Sequence, residues 1–169
     1  MPVLELTVLV HEPMGVAVPL PDGWSVQASN DGSTLAAVGG DDLGNDMLNP
    51  SITVESKAWA SDFAELSLLA DASLTDMRAD YAEFELLWSR ERPDIDRVAR
   101  AYSYTHAQLG AVTQVQALIN AARVIVVTCT APRETYDRLA DTFERIALSV
   151  EQVDPDDIQP DDAEPAGGE

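Results

Sequence analysis

The sequence has 169 residues, 46% of them hydrophobic, and sets 30 acids against 10 bases for a formal net charge of −20. That length suits one domain with a substantial core, and no apolar run approaches the ~18 residues of a membrane span. The charge opposes a phosphate backbone, so nucleic acid is not an expected partner, and the single cysteine, Cys129, excludes a disulfide framework or a zinc-ribbon site.

The first fifteen residues lack the basic start of a secretory signal, Glu5 breaks their apolar stretch and no cysteine lies near them, which gives a cytoplasmic expectation. The string VLELTVLV has the β-branched pattern of a strand, and whether residues 1–12 join a sheet is open at this point. Val16 to Leu20 reads as a strand, Pro21-Asp22-Gly23 as a turn, and Trp24 to Ala28 as the returning strand. Asn30-Asp31-Gly32 is a second turn, Leu35 to Val38 a third strand, Gly39 to Asn49 a loop and Ile52 to Ser56 a further strand.

Ser61 offers a helix cap and Asp62 a negative charge at the positive end of the dipole. Phe63, Leu66, Ala70, Leu74 and Met77 then fall on one face of a helix that reaches about residue 79. From Tyr81 the period becomes two. Ala82, Phe84, Leu86 and Trp88 share one face, and Val98, Tyr102 and Tyr104 lie opposite Ala99, Ala101 and Ser103. Val112 to Asn120 and Val124 to Thr130 complete a four-strand run, the last strand apolar on both faces and so expected at the centre of the sheet. Pro132 suits a first helical position, and Tyr136, Leu139, Ala140, Phe143, Ile146 and Ala147 form a stripe on a second helix, with Glu134–Arg138 and Asp141–Arg145 as i,i+4 pairs. The fold class is α+β: a mostly antiparallel sheet flanked by two main amphipathic helices, in one domain over residues 1–150.

Residues 151–169 hold 8 acids, no base and three prolines, and are expected to form a disordered acidic tail. Residues 1–80 carry 13 acids and 2 bases, a net of −11, whereas residues 81–150 carry 9 acids and 8 arginines. No acid occurs between Arg97 and Arg133. The charge is therefore polarised.

The strings VPLPDGW (18–24), NPSITV (49–54), FELLWSRE (84–91), ARAYSYTH (99–106), VIVVTCTAP (124–132) and YDRLADTFERIALSV (136–150) resemble the LpqN-type actinobacterial lipoprotein family, which belongs to the wider PsbP-like fold. The resemblance covers roughly residues 16–150. It implies an antiparallel sheet flanked by helices, and relatives that bind proteins or envelope lipids without doing chemistry. That family carries an export signal and a lipid-anchoring cysteine, which are missing from this sequence.

Few residues suggest chemistry. Cys129 and His106 are the one thiol–imidazole pairing, but VVTCTA describes a buried small hydrophobe. Asp41, Asp42 and Asp46 lie in a glycine-rich loop that matches neither a phosphate loop nor an EF-hand, leaving only a weak cation site to consider. No hydrolase, zinc-protease or dinucleotide motif occurs, and neither cofactor nor catalytic residue is expected. Arg97, Arg100, Tyr102, Tyr104 and His106 combine arginine with aromatic surface and are the candidate contacts for a protein partner, the alternative being that Tyr102 and Tyr104 sit beneath a helix with Arg100 capping the core edge. The reading is a non-catalytic binding domain acting on a protein, as an adaptor or chaperone. The alternatives are a carrier of a small hydrophobic or lipid ligand and an acidic immunity protein that neutralises a basic toxin.

Overall fold

A computed structural model describes residues 4–57 and 59–153. The order is β1 (Leu6–His11), β2 (Val16–Pro21), β3 (Ser25–Ala28), β4 (Thr34–Val38), β5 (Ser51–Ser56), α1 (Phe63–Asp80), β6 (Ala82–Arg92), β7 (Arg97–His106), β8 (Gly110–Asn120), β9 (Val124–Pro132), α2 (Arg133–Tyr136), α3 (Ala140–Ser149) and β10 (Glu151–Gln152). This is the α+β class that the alternation predicts. Seven strands form one sheet in the order β3-β4-β5-β9-β8-β7-β6, and β1, β2 and β10 form a second. Every pairing is antiparallel. β9 lies at the centre of the seven as expected, one face buried and the other partly covered, with Val126, Thr128 and Thr130 half-buried.

Alternation along the strands divides the core into two layers. Ala99, Ala101, Val115, Ala117, Val127 and Cys129 face α3 and the small sheet, packing with Phe143, Ile146, Val16 and Val18. On the other face Val98, Leu118 and Val124 pack under Leu66 and Ala70 of α1. Tyr102, Tyr104 and Val112 form an aromatic cluster with Phe84, Leu86 and Met77.

The N-terminal string does join the structure: β1 pairs with β2 over six consecutive residue pairs from Leu6–Pro21 to His11–Val16. His11 ties this strand to the next hairpin, its Nε2 lying 3.0 Å from the Gly32 carbonyl oxygen. Gly32 has φ +76°, and a Cβ there would come within 2.4 Å of Pro13, so the close approach of the two segments requires glycine.

Five details depart from the sequence reading. Asp62, not Ser61, caps α1: its carboxylate accepts from Glu65 N at 2.9 Å, and the Glu65 carboxylate accepts from Ser61 N at 2.6 Å. Trp88 does not share a face with Phe84 and Leu86, because register shifts at Ala82/Glu85 and Leu86/Trp88 turn it to the α3 side of the sheet. The C-terminal helix is interrupted at 137–139, where Arg138 N and Leu139 N donate to the carbonyls of Thr135 and Tyr136 in a tighter turn. Pro132 ends β9 and precedes that helix. Neither i,i+4 pair is an ion pair among the described residues: Glu134 accepts from Asn45 and Arg138 donates to the Asp42 carbonyl, while the helix is tied to β6 by Glu144–Arg90.

Residues 151–153, expected to open a disordered tail, instead join the small sheet. Glu151 and Gln152 pair with Ala17 and Val16, and Val153 N donates to Gly15 O at 2.7 Å. The rest of the tail expectation, over 154–169, lies outside the described residues. Among the described residues, no helix is long and apolar enough to cross a membrane.

Phe143 is fully buried at the junction of α3 with both sheets. Phe143→Ala is expected to destabilise the fold by about 3–5 kcal/mol, measured as a lower urea midpoint with an unchanged m-value.

Candidate functional site

The five partner-contact candidates lie along β7, and the structure places four of them under cover. Arg97, Arg100, Tyr102 and Tyr104 are 5%, 1%, 0% and 4% exposed. The expectation of an accessible arginine–tyrosine face is corrected accordingly, because α1 and its aromatic neighbours lie over this part of the sheet. Arg97 points the other way. Its Nη1 donates to the Ala147 carbonyl at 3.0 Å, putting a cation at the C-terminal turn of α3.

Arg100 is a buried cation with no carboxylate in salt-bridge contact among the described residues. Its Nη2 donates to Gln116 Oε1 at 2.9 Å, its Nη1 to the Ala70 carbonyl of α1, and its Nε has no partner. Burial lowers its pKa, against a smaller opposing influence of Tyr102 and Asp71. A second polar rung crosses the same strands, with Tyr102 Oη donating to Gln114 Oε1 at 2.7 Å and Gln114 Nε2 to Thr130 Oγ1 at 2.9 Å. The first rung ties α1 to the sheet through the Ala70 carbonyl, and the second links β7, β8 and β9. Tyr104 stacks on Tyr81 with ring centroids 4.2 Å apart. His106 alone is partly exposed, and its Nδ1 accepts from Gln108 N and Leu109 N at 3.0 and 3.1 Å, closing the β7–β8 turn.

The residues considered for chemistry separate. Cys129 is buried on the α3 side of the sheet while His106 lies at the end of β7, and burial pushes the Cys129 thiol up, away from thiolate reactivity. In the glycine-rich loop, Asp41 accepts from Asn49 Nδ2 at 3.1 Å and Asn45 Oδ1 from Met47 N and Leu48 N. Its polar groups thus hold the loop's own shape. Among the described residues no group of three or more His, Cys, Asp or Glu side chains is arranged to hold a metal ion.

The accessible apolar surface lies elsewhere, on β1. Val8, Leu9 and Val10 are 61%, 37% and 46% exposed. Two open grooves flank this strand. One of about 410 Å³ runs between Thr7, Leu9 and Val26 of β3. The other, of about 360 Å³, lies between Leu6, Val8 and the Arg145–Ser149 flank of α3. A third groove, about 290 Å³, separates Leu69 and Ser73 of α1 from Val126 and Thr128 of β9, with Gln116 in its wall and the Glu55–Lys57 pair (3.4 Å) at its edge. Sequence reading identified β1 as strand-like, but its alternation gives no sign that both sides stay open. The contrast with the charged β6 edge was the available signal.

These features define an α+β domain of PsbP-like fold. No family model matches the chain, and no curated protein matches it. Among solved structures it is similar to the Ran-binding protein Mog1p of Saccharomyces cerevisiae, with a TM-score of 0.61 at 13% identity over 91% of this chain and 98% of that one. It is also similar to the cyanobacterial PsbP (CyanoP) of Synechocystis, with a TM-score of 0.56 at 13% identity, covering 90% and 95%. LpqN of Mycobacterium tuberculosis, involved in cell envelope biogenesis, aligns with a TM-score of 0.55 at 16% identity over 89% and 92%. At these identities the likeness is one of fold.

Tyr104 carries a measurable consequence of its cover. Burial, with Tyr81 adding to it, pushes its phenol from 10.0 up to about 12, and burial pushes Tyr102 up as well. A raised folded pKa means this contribution is fully present below pH 10 and is lost as pH rises toward 12. Absorbance titration is expected to show these phenols ionising late, and Tyr104→Phe to make the loss of stability across that window shallower.

Proposed function

We propose that the chain is a non-catalytic binding domain that acts on a protein partner. The observation that carries this reading is the exposed apolar strand β1, where three consecutive large apolar side chains face solvent beside two open grooves. A soluble domain with contiguous exposed apolar surface usually engages a partner there. The fold likeness to a protein described as Ran-binding supports the same direction.

The carrier alternative fits less well. An acyl chain between sheet and helix needs apolar space, and the layer under α1 holds the Arg100–Gln116 rung instead. The charge distribution further favours a basic partner, since an acidic surface attracts one over a Debye length of about 8 Å at physiological salt.

The test is site-specific photo-cross-linking in the native host. A photoreactive residue replaces Val10 on β1 or, as a control of similar exposure, Leu87 on β6. A discrete protein adduct from position 10 that is absent from position 87 is the expected result. Adducts from neither position, together with a co-purifying lipid in the native mass spectrum, contradict the reading and favour the carrier.

A further inference from the structure

We infer that β1 takes up its partner by strand addition: an extended segment, uncharged and β-prone over about six residues and flanked by Lys or Arg, pairs with its free edge. This rests on the protein-binding reading above and specifies its mode and chemistry.

The edges of the two sheets are treated differently. β6 carries two register shifts and the charges Glu83, Glu85, Arg90, Glu91 and Arg92, and Glu83 adopts a left-handed φ of 57°. β3 is only four residues long. The outer side of β2 is covered by β10 at Val16 and Ala17, and Pro19 and Pro21 follow. These are the devices by which proteins blunt an exposed edge. β1 has none of them between Leu6 and Val10: no charge, no proline and no register shift.

The hydrogen-bond phase shows which groups are available. Asp22 N donates to Glu5 O at 2.9 Å, which makes Glu5–Asp22 a bonded pair in the β1–β2 ladder. Bonded and non-bonded pairs alternate, so Thr7, Leu9 and His11 also bond to β2, while Leu6, Val8 and Val10 turn their N–H and C=O outward. Pro19 and Pro21 agree with this phase. They pair with Val8 and Leu6, positions at which the β2 residue has no need of an N–H toward β1.

Charge decides the occupant. Glu5 and Glu12 bracket the strand, and Asp22 lies at one end of the groove. A second copy pairing antiparallel through the outward-turned residues sets Val8 opposite Val8 and Glu5 opposite His11, and it brings two acidic flanks, each with Glu5, Glu12 and Asp22, to one ladder, where like charges repel. Residues 154–169 of the chain itself carry seven acids and no base, so they bring the wrong sign as well. A partner segment with basic residues seven positions apart meets both glutamates and leaves its uncharged run against Leu6, Val8 and Val10.

The probe is an acetylated, amidated octapeptide of alternating Val and Thr with Lys at both ends, compared with the same peptide ended by Glu. Fluorescence anisotropy with the full chain should show the Lys-ended peptide binding at least about tenfold more tightly than the Glu-ended one, a gap of about 1.4 kcal/mol, and more weakly as salt rises. Glu5→Gln with Glu12→Gln should reduce that preference to below about threefold. Val8→Pro removes an N–H that β2 does not use, and Val10→Lys serves as a second variant should the proline disturb folding. Both should abolish binding with the circular dichroism spectrum unchanged. Failure of the Lys-ended peptide to bind, binding that survives both variants, or a dimer of the chain that Val10→Lys dissolves would each overturn strand addition. If the β1 cross-link still forms in those cases, the protein-binding reading stands and only this mode falls.

Discussion

The architecture follows from one constraint, that the seven-stranded sheet is apolar on both faces at its centre. β9 cannot leave either side to water, so Val127 and Cys129 need α3 and the small sheet, while Val124 and its neighbours need α1. Antiparallel sheets often solvate one face. Here most of both faces is covered, by α3 and the small sheet on one side and by the 18-residue α1 on the other. The polar groups inside the α1 layer are consequences of the same closure. Arg100 and Tyr102 are carried under the helix by their place on β7, and Gln116 and Gln114 on β8 supply the partners that make their burial tolerable.

Covering the faces does not cover the edges. β10 reaches only two residues along β2, and β1 closes the other side of that strand without itself being closed. The result is a molecule whose structural polar network is hidden and which leaves an uncharged, apolar strand edge, bracketed by acids, open to a partner. The segregation of charge fits this arrangement, since the net −11 of residues 1–80 includes Glu5, Glu12 and Asp22. A buried arginine–tyrosine array and an exposed valine–leucine strand reverse the usual assumption about which residues meet a partner.

Much of the fold is legible from periodicity. The two-residue period of β7 sorts Ala99 and Ala101 from Tyr102 and Tyr104 correctly, and Asn30-Asp31-Gly32 locates the β3–β4 hairpin turn. Pro21-Asp22-Gly23, by contrast, marks a turn that carries the chain from the small sheet to the large one and closes no hairpin, so β3 does not return along β2. Trp88 escapes such reasoning, because a register shift changes phase without changing composition. The break at residues 137–139 is equally silent, since a tighter turn keeps Leu139 on the buried stripe. The surface reading failed for a different reason. Arginine on a strand suggests exposure, and the sequence of α1 gives no sign that the helix will dock over Arg100 and Tyr102. The openness of β1 depends in turn on what fails to pair with it, which only the assembled sheets reveal.

Amide hydrogen exchange along β1 tests strand addition most directly. In the free chain, Leu6, Val8 and Val10 should exchange rapidly while Thr7 and Leu9, bonded to β2, are protected. On saturation with the Lys-ended peptide the first three should slow by at least about tenfold. Protection of Leu6, Val8 and Val10 already in the free chain, or exchange rates that the peptide leaves unchanged, would contradict the account.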